Sequence, residues 1–122
     1  MPKLLIVDDE MDVREFAKSF FKRRKIDVVT AASGEETLSM LEKEMPDLII
    51  LDIRLEGMDG IETLKRMRQM GNKTDVIMVT GVDEKETMDK AKELGAIDYI
   101  HKPLILDELE KVVLKRLINP GK

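Results

Sequence analysis

Four apolar segments of the chain each lead into side chains that can do chemistry: carboxylates, a hydroxyl group and an ammonium group. In chain order, these are 4–7 before Asp8, Asp9 and Glu10, 48–51 before Asp52, 76–79 before Thr80, and 97–100 before His101 and Lys102. Short Ile- and Val-rich runs bounded by polar residues are typical of strands buried on both faces. Because parallel strands deliver their C-terminal ends to one edge of the sheet, we expect these side chains to converge there.

The acidic residues of this edge indicate a metal site. Asp8 and Asp9 would face Asp52 across the edge, and two unit charges about 4 Å apart cost on the order of 4 kcal/mol at an effective dielectric of about 20. A hard cation relieves that repulsion, and Mg²⁺ suits a site of one or two carboxylates, a carbonyl and several waters. An isolated Asp pair more often caps the following helix. The matching positions of Thr80 and Lys102 favour the metal site.

A carboxylate beside a divalent ion can act as a nucleophile towards phosphorus and form an acyl phosphate. Phosphoryl transfer mainly requires alignment of the reacting groups and neutralisation of charge on the equatorial oxygens. The Lys102 ammonium would neutralise charge together with Mg²⁺, and the Thr80 hydroxyl would donate a hydrogen bond. Taken singly, Thr80 is an ordinary β-branched strand residue and Lys102 a surface lysine. The prediction therefore depends on the whole set, and we assign no role to His101.

Amphipathic segments alternate with five apolar runs, which lie near 4–7, 28–31, 48–51, 76–79 and 97–100. Helix starts are indicated by a capping residue followed three positions later by Glu: Ser33 and Glu36, Asp59 and Glu62, Asp83 and Glu86, and Asp107 and Glu110. Helix ends are indicated by Pro46, Gly71 and Gly95. Strands that alternate with helices predict right-handed crossovers and a parallel sheet covered on both faces, which is an α/β fold.

Composition excludes several classes of function. The 122 residues are enough for one domain, and the net charge of −4 gives no electrostatic case for binding nucleic acid or an anionic membrane. The chain has no cysteine and one histidine, which excludes a disulfide framework, a thiol nucleophile and a His-rich zinc site. No apolar stretch approaches about 20 residues, and no signal-peptide pattern is present. These features predict a cytoplasmic protein without membrane contact.

Several segments resemble the receiver domain of bacterial two-component response regulators, from about Lys3 to Leu117. The matching segments are LIVDDE (5–10), PDLIILD (46–52), GMDG (57–60), GAIDY (95–99) and Lys102-Pro103. Their order and spacing together are specific, whereas any one of them is not. The resemblance implies one receiver domain over residues 1–122. It also implies a flavodoxin-like (βα)5 three-layer sandwich with a parallel five-stranded sheet of order 2-1-3-4-5.

The resemblance implies roles for the residues of the acidic edge. Asp52 would be the phosphoacceptor, and the donor would be a phosphohistidine on a sensor histidine kinase or a histidine phosphotransfer protein. Asp9 would ligate Mg²⁺ directly and Asp8 mostly through water, while the backbone carbonyl of Arg54 would supply a further ligand beside Asp52. Lys102 would pair with the Asp52 carboxylate and later with the phosphoryl group.

The resemblance also implies a cis Lys102–Pro103 bond and a switch formed by Thr80 and Tyr99. Phosphorylation would draw the Thr80 hydroxyl inward, and the Tyr99 ring would turn into the vacated space. This would change the surface formed by the fourth helix, fifth strand and fifth helix, where a downstream protein or a second copy would bind. The alternative for Tyr99 is a half-buried aromatic residue on an edge strand.

Four alternatives compete with this interpretation. A flavodoxin-type FMN carrier would need a Ser/Thr/Gly loop after the first strand, where Asp8, Asp9 and Glu10 would repel a phosphate. A phosphatase of the haloacid-dehalogenase class would need Asp-x-Asp there. A non-phosphorylated pseudo-receiver, acting as a protein-binding module, is disfavoured because every chemical position is filled. A receiver cut from a larger DNA-binding regulator stays open. A phosphoacceptor domain of this kind promotes only its own phosphorylation and dephosphorylation, so we do not expect an enzyme.

Overall fold

Five strands and five helices alternate along the chain in a computed structural model that describes residues 2–81, 85–103 and 105–118. The strands are β1 (Lys3–Val7), β2 (Asp27–Ala31), β3 (Leu48–Asp52), β4 (Asp75–Thr80) and β5 (Asp98–His101). The helices are α1 (Met11–Lys22), α2 (Gly34–Glu44), α3 (Gly60–Gln69), α4 (Lys85–Glu93) and α5 (Leu106–Leu117). Each strand is therefore followed by a helix, as the alternating sequence pattern predicts.

The five strands form one parallel sheet of order β2-β1-β3-β4-β5. The central strand β3 pairs with β1 on one side and with β4 on the other, and it is buried along its whole length. Because every strand runs in the same direction, the predicted site residues at the C-terminal ends of β1, β3, β4 and β5 meet at one edge. The predicted flavodoxin-like topology is confirmed.

Alternating strand side chains divide the core into one layer on each face of the sheet. One layer packs strand residues such as Ile6 and Ile50 against Phe21 of α1 and Leu109 of α5. The other packs Leu5, Ile49 and Met78 against helices α2, α3 and α4 through Leu41, Leu64 and Ala91. Full burial of a Leu, Ile or Phe side chain contributes about 1.5–3 kcal/mol, so both layers hold the strands firmly in register.

Two of the predicted helix caps are confirmed, and one is wrong. Ser33 and Asp59 each accept a hydrogen bond from the backbone N–H three residues later. Asp107, in contrast, does not begin α5, because the helix starts at Leu106 with Ile105 as its N-terminal neighbour. Leu106 packs against the core, which favours a helix start two residues earlier and leaves Asp107 in the first turn, where its charge is favourable at the N-terminal end of the helix dipole. The predicted cap at Asp83 lies outside the described residues.

The predicted helix ends agree with the backbone. Gly71 and Gly95 follow α3 and α4 with φ of 84° and 87°, in the left-handed region that closes many helices. Met45, the residue before Pro46, occupies the same region after α2 with φ of 47°. The helices therefore end where the sequence indicates, which keeps the connections between elements short.

Candidate functional site

Asp52 is the last residue of β3, and only 1% of its surface is exposed. Its carboxylate is held by two donors. Oδ1 accepts a hydrogen bond of 3.0 Å from the backbone N–H of Arg54, and Oδ2 accepts one of 2.6 Å from Nζ of Lys102. A buried carboxylate requires such partners because desolvation of an unpaired charge costs several kcal/mol. The pairing also fixes the direction in which the carboxylate points.

Lys102 follows β5 and reaches back across the edge to Asp52. Its backbone N–H donates to the carbonyl of Thr80 at 2.8 Å, which ties this loop to the end of β4. Burial alone would lower the pKa of Lys102. The hydrogen bond to Asp52 and the negative charges of Asp52, Asp8 and Glu10 outweigh this effect, so the pKa is raised. The Lys102–Pro103 peptide bond is cis, as predicted.

The three aspartates that the sequence assigns to a metal site come together. One carboxylate oxygen from each of Asp8, Asp9 and Asp52 lies within 4.8 Å of the others. Asp8 is buried and Asp9 is exposed, and Oδ1 of Asp8 accepts a hydrogen bond of 2.9 Å from the N–H of Glu10. The residue before α1 is Glu10, so neither aspartate is the N-cap of that helix.

Electrostatics at this cluster favour a bound cation. The pKa of Asp8 is raised, first by burial and then by the charges of Asp52 and Asp9, although the hydrogen bond from Glu10 and the charge of Lys102 act against this shift. Three carboxylates face one ammonium group, which leaves an excess of two negative charges. The donor set is all oxygen, so it fits a hard divalent ion such as Mg²⁺.

The remaining predicted residues border the same edge. Thr80 is the last residue of β4, is buried, and lines a cavity of about 410 Å³ together with Arg54 and Thr87. A second cavity, of about 370 Å³, also borders the site. Its lining residues are Asp8, Glu10, Val13, Phe16, Lys102, Pro103 and Leu106. Asp8 and Lys102 therefore line one cavity, and Thr80 and Arg54 line the other.

Thr80 and Tyr99 lie on the same face of the sheet. Tyr99 pairs with Met78 in the β4–β5 register, and Thr80 is two residues beyond Met78, so both side chains project towards α3 and α4. The Tyr99 hydroxyl donates a hydrogen bond of 2.7 Å to the carbonyl of Met88 in α4. Burial is the main cause that raises the pKa of Tyr99, with the nearby acids adding to it.

Sequence reasoning missed two residues that support the site. A Cβ on Gly60 would lie 2.3 Å from the carbonyl oxygen of Asp52, so this glycine packs directly on the backbone of β3. Arg14 of α1 donates a hydrogen bond of 2.7 Å to the backbone carbonyl of Asp8. The GMDG segment contains a signal for Gly60, whereas an arginine in the first turns of a helix gives none.

This parallel α/β fold with an acidic edge and a facing lysine defines a class of domains found in signalling proteins, and comparison with known proteins identifies the family. The family profile described as "Response regulator receiver domain" matches residues 4–114. The chain therefore belongs to that family and is a receiver domain of the two-component response regulators.

None of the helices in the described part of the chain is long and apolar enough to cross a membrane.

Individual relatives agree with this assignment. Sporulation initiation phosphotransferase F of Bacillus subtilis is 39% identical over 115 residues, which cover 94% of this chain and 93% of the relative. Alkaline phosphatase synthesis transcriptional regulatory protein PhoP of the same organism is 40% identical, over 93% of this chain and 49% of its own length. The chain therefore spans nearly all of the first relative but about half of the second.

Solved structures agree as well. A response regulator receiver domain protein (CheY-like) from Methanospirillum hungatei superposes with a TM-score of 0.90 at 29% identity. The superposition covers 98% of this chain and 95% of that structure.

Proposed function

We propose that the chain, as one receiver domain over residues 1–122, accepts a phosphoryl group on Asp52 from a phosphohistidine in a Mg²⁺-dependent step. The observation that carries this proposal is the Asp52 carboxylate, which is buried and hydrogen-bonded to Lys102 and has an oxygen within 4.8 Å of carboxylate oxygens of Asp8 and Asp9. A carboxylate oxygen of Asp52 attacks phosphorus as the phosphorus–nitrogen bond of the donor breaks. The imidazole nitrogen keeps the electron pair of that bond, and Asp52 becomes an acyl phosphate.

The residues around Asp52 each have a separate role in neutralising charge during this step. Bound Mg²⁺ would neutralise charge on the transferred group, held by Asp8, Asp9 and Asp52 with the backbone carbonyl of Arg54. The Lys102 ammonium is hydrogen-bonded to the Asp52 carboxylate before the reaction and would donate to a phosphoryl oxygen once the acyl phosphate forms. The Thr80 hydroxyl, at the end of the neighbouring strand, donates to another oxygen. Together these groups neutralise the charge that the buried edge could not otherwise accommodate.

The surface beside the site supports a protein as the phosphodonor. Met11 and Phe16 on α1 are 64% and 70% exposed, and they are among the largest apolar side chains that the described residues leave in solvent. Phe16 also lines the cavity that reaches Asp8 and Lys102. Large apolar side chains exposed near a reactive group favour a protein partner. We assign it to the histidine-bearing domain of a sensor kinase or phosphotransfer protein.

The proposed output is a change in the surface formed by α4, β5 and α5. The Tyr99 hydroxyl already binds the Met88 carbonyl, so any movement of Tyr99 acts on α4 directly. Thr80 and Tyr99 project on the same face of the sheet, which supports their coupling. The partner at this surface is a downstream protein or a second copy of the chain, not nucleic acid. The domain promotes only its own phosphorylation and dephosphorylation and is not otherwise an enzyme.

Intact-mass measurement after incubation with acetyl phosphate and Mg²⁺ tests the proposal. The wild-type protein should gain one phosphoryl group, which hydroxylamine should remove as expected for an acyl phosphate. Asp52→Asn should abolish the gain, while Asp27→Asn, which changes an exposed aspartate at the start of β2, should leave it unchanged. Undiminished labelling of Asp52→Asn would refute the assignment. A wild-type protein that gains no mass would instead support the pseudo-receiver alternative.

A further inference from the structure

Arg68, close to the C-terminal end of α3, donates hydrogen bonds to backbone carbonyls from two different segments. Nη1 binds the carbonyls of Asn72 and Thr74 in the α3–β4 loop at 3.1 and 2.9 Å. Nε binds the carbonyl of Leu94 at 2.7 Å, and Nη2 lies 3.5 Å from that of Gly95, both just after α4. One side chain therefore joins the end of α3 to the end of α4.

The chemistry of this contact is favourable for a guanidinium group. Carbonyls at a helix C-terminus lack intrahelical partners and carry the negative end of the helix dipole. Arginine offers five donors in a rigid planar fork, which lets one residue serve several carbonyls at once. Burial lowers the pKa of Arg68, and the negative charge of Asp75 opposes that shift. This is expected for a cation that is partly removed from solvent by the backbone it contacts.

The guanidinium of Arg68 lies beside the backbone of Gly95. A Cβ at this position would lie 3.5 Å from Nη2 and 3.6 Å from Nε of Arg68, so the group lies against the Cα of Gly95. The backbone N–H of Ala96 donates to the carbonyl of Ala91, and that of Leu94 to the carbonyl of Lys90. The C-terminal end of α4 is therefore fixed by its own closing hydrogen bonds and by Arg68.

The two halves of α4 have different surroundings. Ala91, in the C-terminal half, is fully buried against the core layer shared by α3 and α4. Thr87, in the N-terminal half, lines the cavity of about 410 Å³ that also contains Thr80. Glu86 and Thr87 line an adjoining cavity of about 350 Å³. The N-terminal half therefore borders open space next to the site, whereas the C-terminal half is packed and hydrogen-bonded.

We propose that Arg68 is a positioning residue of the switch, which fixes the C-terminal end of α4 as a pivot. Phosphorylation then moves residues 85–90 into or out of the neighbouring cavities while residues 93–97 stay in place. This inference rests on the proposed function, in which phosphorylated Asp52 acts through Thr80 and Tyr99 on α4. In this proposal the N-terminal end of α4 swings, and the C-terminal end is held in place by the side chain of Arg68.

Two matched variants test the pivot. Arg68→Met keeps the length of the side chain but removes its donors, and Arg66→Met makes the same change at an exposed position of the same helix. In the unphosphorylated protein, amide hydrogen exchange at Leu94, Gly95 and Ala96 should become at least about tenfold faster in Arg68→Met, because charged hydrogen bonds are lost. Arg66→Met should exchange as the wild type does. Equal exchange in the two variants would overturn the inference.

Amide NMR with beryllofluoride, a stable phosphoryl mimic, tests the direction of the movement. The wild-type protein should show changes at residues 85–90 and little at 93–97, whereas Arg68→Met should show changes along both segments. A wild-type response of equal size in both segments would overturn the pivot. A protein that gives no response even at Asp8, Asp9 and Asp52 would refute the phosphoacceptor proposal, while the exchange measurement would still decide whether Arg68 fixes α4.

If Arg68→Met proves too unstable to study, Arg68→Lys keeps the charge and loses the planar fork. It should show faster exchange at Leu94 and Gly95 by a smaller factor and an intermediate beryllofluoride response. Wild-type behaviour of Arg68→Lys in both measurements would show that a point charge suffices and would overturn the role given to the guanidinium fork.

Discussion

The Nζ of Lys102 lies 2.6 Å from Oδ2 of Asp52, although 37% of the lysine side chain and only 1% of the aspartate side chain is exposed. The pair therefore joins a partly hydrated cation to a buried anion. Because the lysine can turn towards solvent and the aspartate cannot, Lys102 is the partner that would follow the charge in the proposed transfer to a phosphoryl group. Asp52 would keep its position, held by the N–H of Arg54 and the end of β3.

Lys102→Met should destabilise the metal-free protein and slow its phosphorylation. Removing the ammonium leaves three neighbouring carboxylates without their main counter-charge, at a cost of about 1–3 kcal/mol, below that of a fully buried pair because the lysine is partly exposed. Phosphorylation by acetyl phosphate should slow roughly a hundredfold, as for loss of one preorganised charge-stabilising donor. Urea unfolding and intact-mass time courses measure the two effects. Lys65→Met, at an exposed position on α3, is the control and should change neither.

Asp9→Asn should make the protein more stable without metal and nearly insensitive to Mg²⁺. The substitution removes one of three converging negative charges, so their mutual repulsion falls. In the wild type, Mg²⁺ at 100 times its dissociation constant should add ~2.7 kcal/mol to the free energy of unfolding. Thermal unfolding with and without Mg²⁺ checks both statements. Glu15→Gln removes an exposed charge from α1 outside the aspartate cluster, and it should retain the full Mg²⁺ response.

The parts of the fold that the sequence predicts are those that local patterns determine. The apolar run 48–51 is long enough to be a buried strand, and Asp52 follows it directly, so both the central strand and its terminal carboxylate can be located without a structure. The same holds for Ser33 and Asp59, because a capping side chain acts on an N–H only three residues away. These interactions need no knowledge of how the elements pack.

Features that depend on packing could not be predicted in the same way. Helix α5 does not start at Asp107, because Leu106 packs against the core. That packing is a tertiary contact, which a local sequence pattern does not reveal. Arg68 binds carbonyls 26 and 27 residues away, and in the sequence it is one of several basic residues on an amphipathic helix. The convergence of three aspartates was predictable only because the parallel topology could be inferred first.

Gly60→Ala should impair both stability and phosphorylation. A Cβ there would lie 2.3 Å from the carbonyl oxygen of Asp52 and 2.8 Å from Cα of Ile53, and these backbone atoms cannot move without displacing the end of β3. We expect a loss of about 1–3 kcal/mol, typical of overpacking, with slower labelling by acetyl phosphate. Gly71→Ala is the matched control. Its φ of 84° strains any side chain, but nothing lies within 4 Å, so it should lose stability without slower labelling. Equal labelling rates in the two variants would contradict the positioning of Asp52 by Gly60.

Thr80→Ala should still accept a phosphoryl group on Asp52 but should no longer transmit the event to α4 and β5. Mg²⁺ and Lys102 supply most of the charge neutralisation, so labelling by acetyl phosphate should continue at a reduced rate. The Thr80 hydroxyl is the group that phosphorylation would draw inward, and in the alanine variant no hydroxyl remains to link the phosphoryl group to Tyr99 on the same face of the sheet.

Amide NMR with beryllofluoride separates the two effects of Thr80→Ala. The wild-type protein should change around residues 85–90 and 98–101 as well as at the aspartates, whereas the variant should change mainly near Asp8, Asp9 and Asp52. Thr80→Ser is the matched control, because it restores the hydroxyl without the methyl group and should recover the distant response. If Thr80→Ala responds at residues 85–90 and 98–101 as strongly as the wild type, coupling does not run through this hydroxyl, and the phosphoryl group acts on α4 by a route that bypasses Thr80.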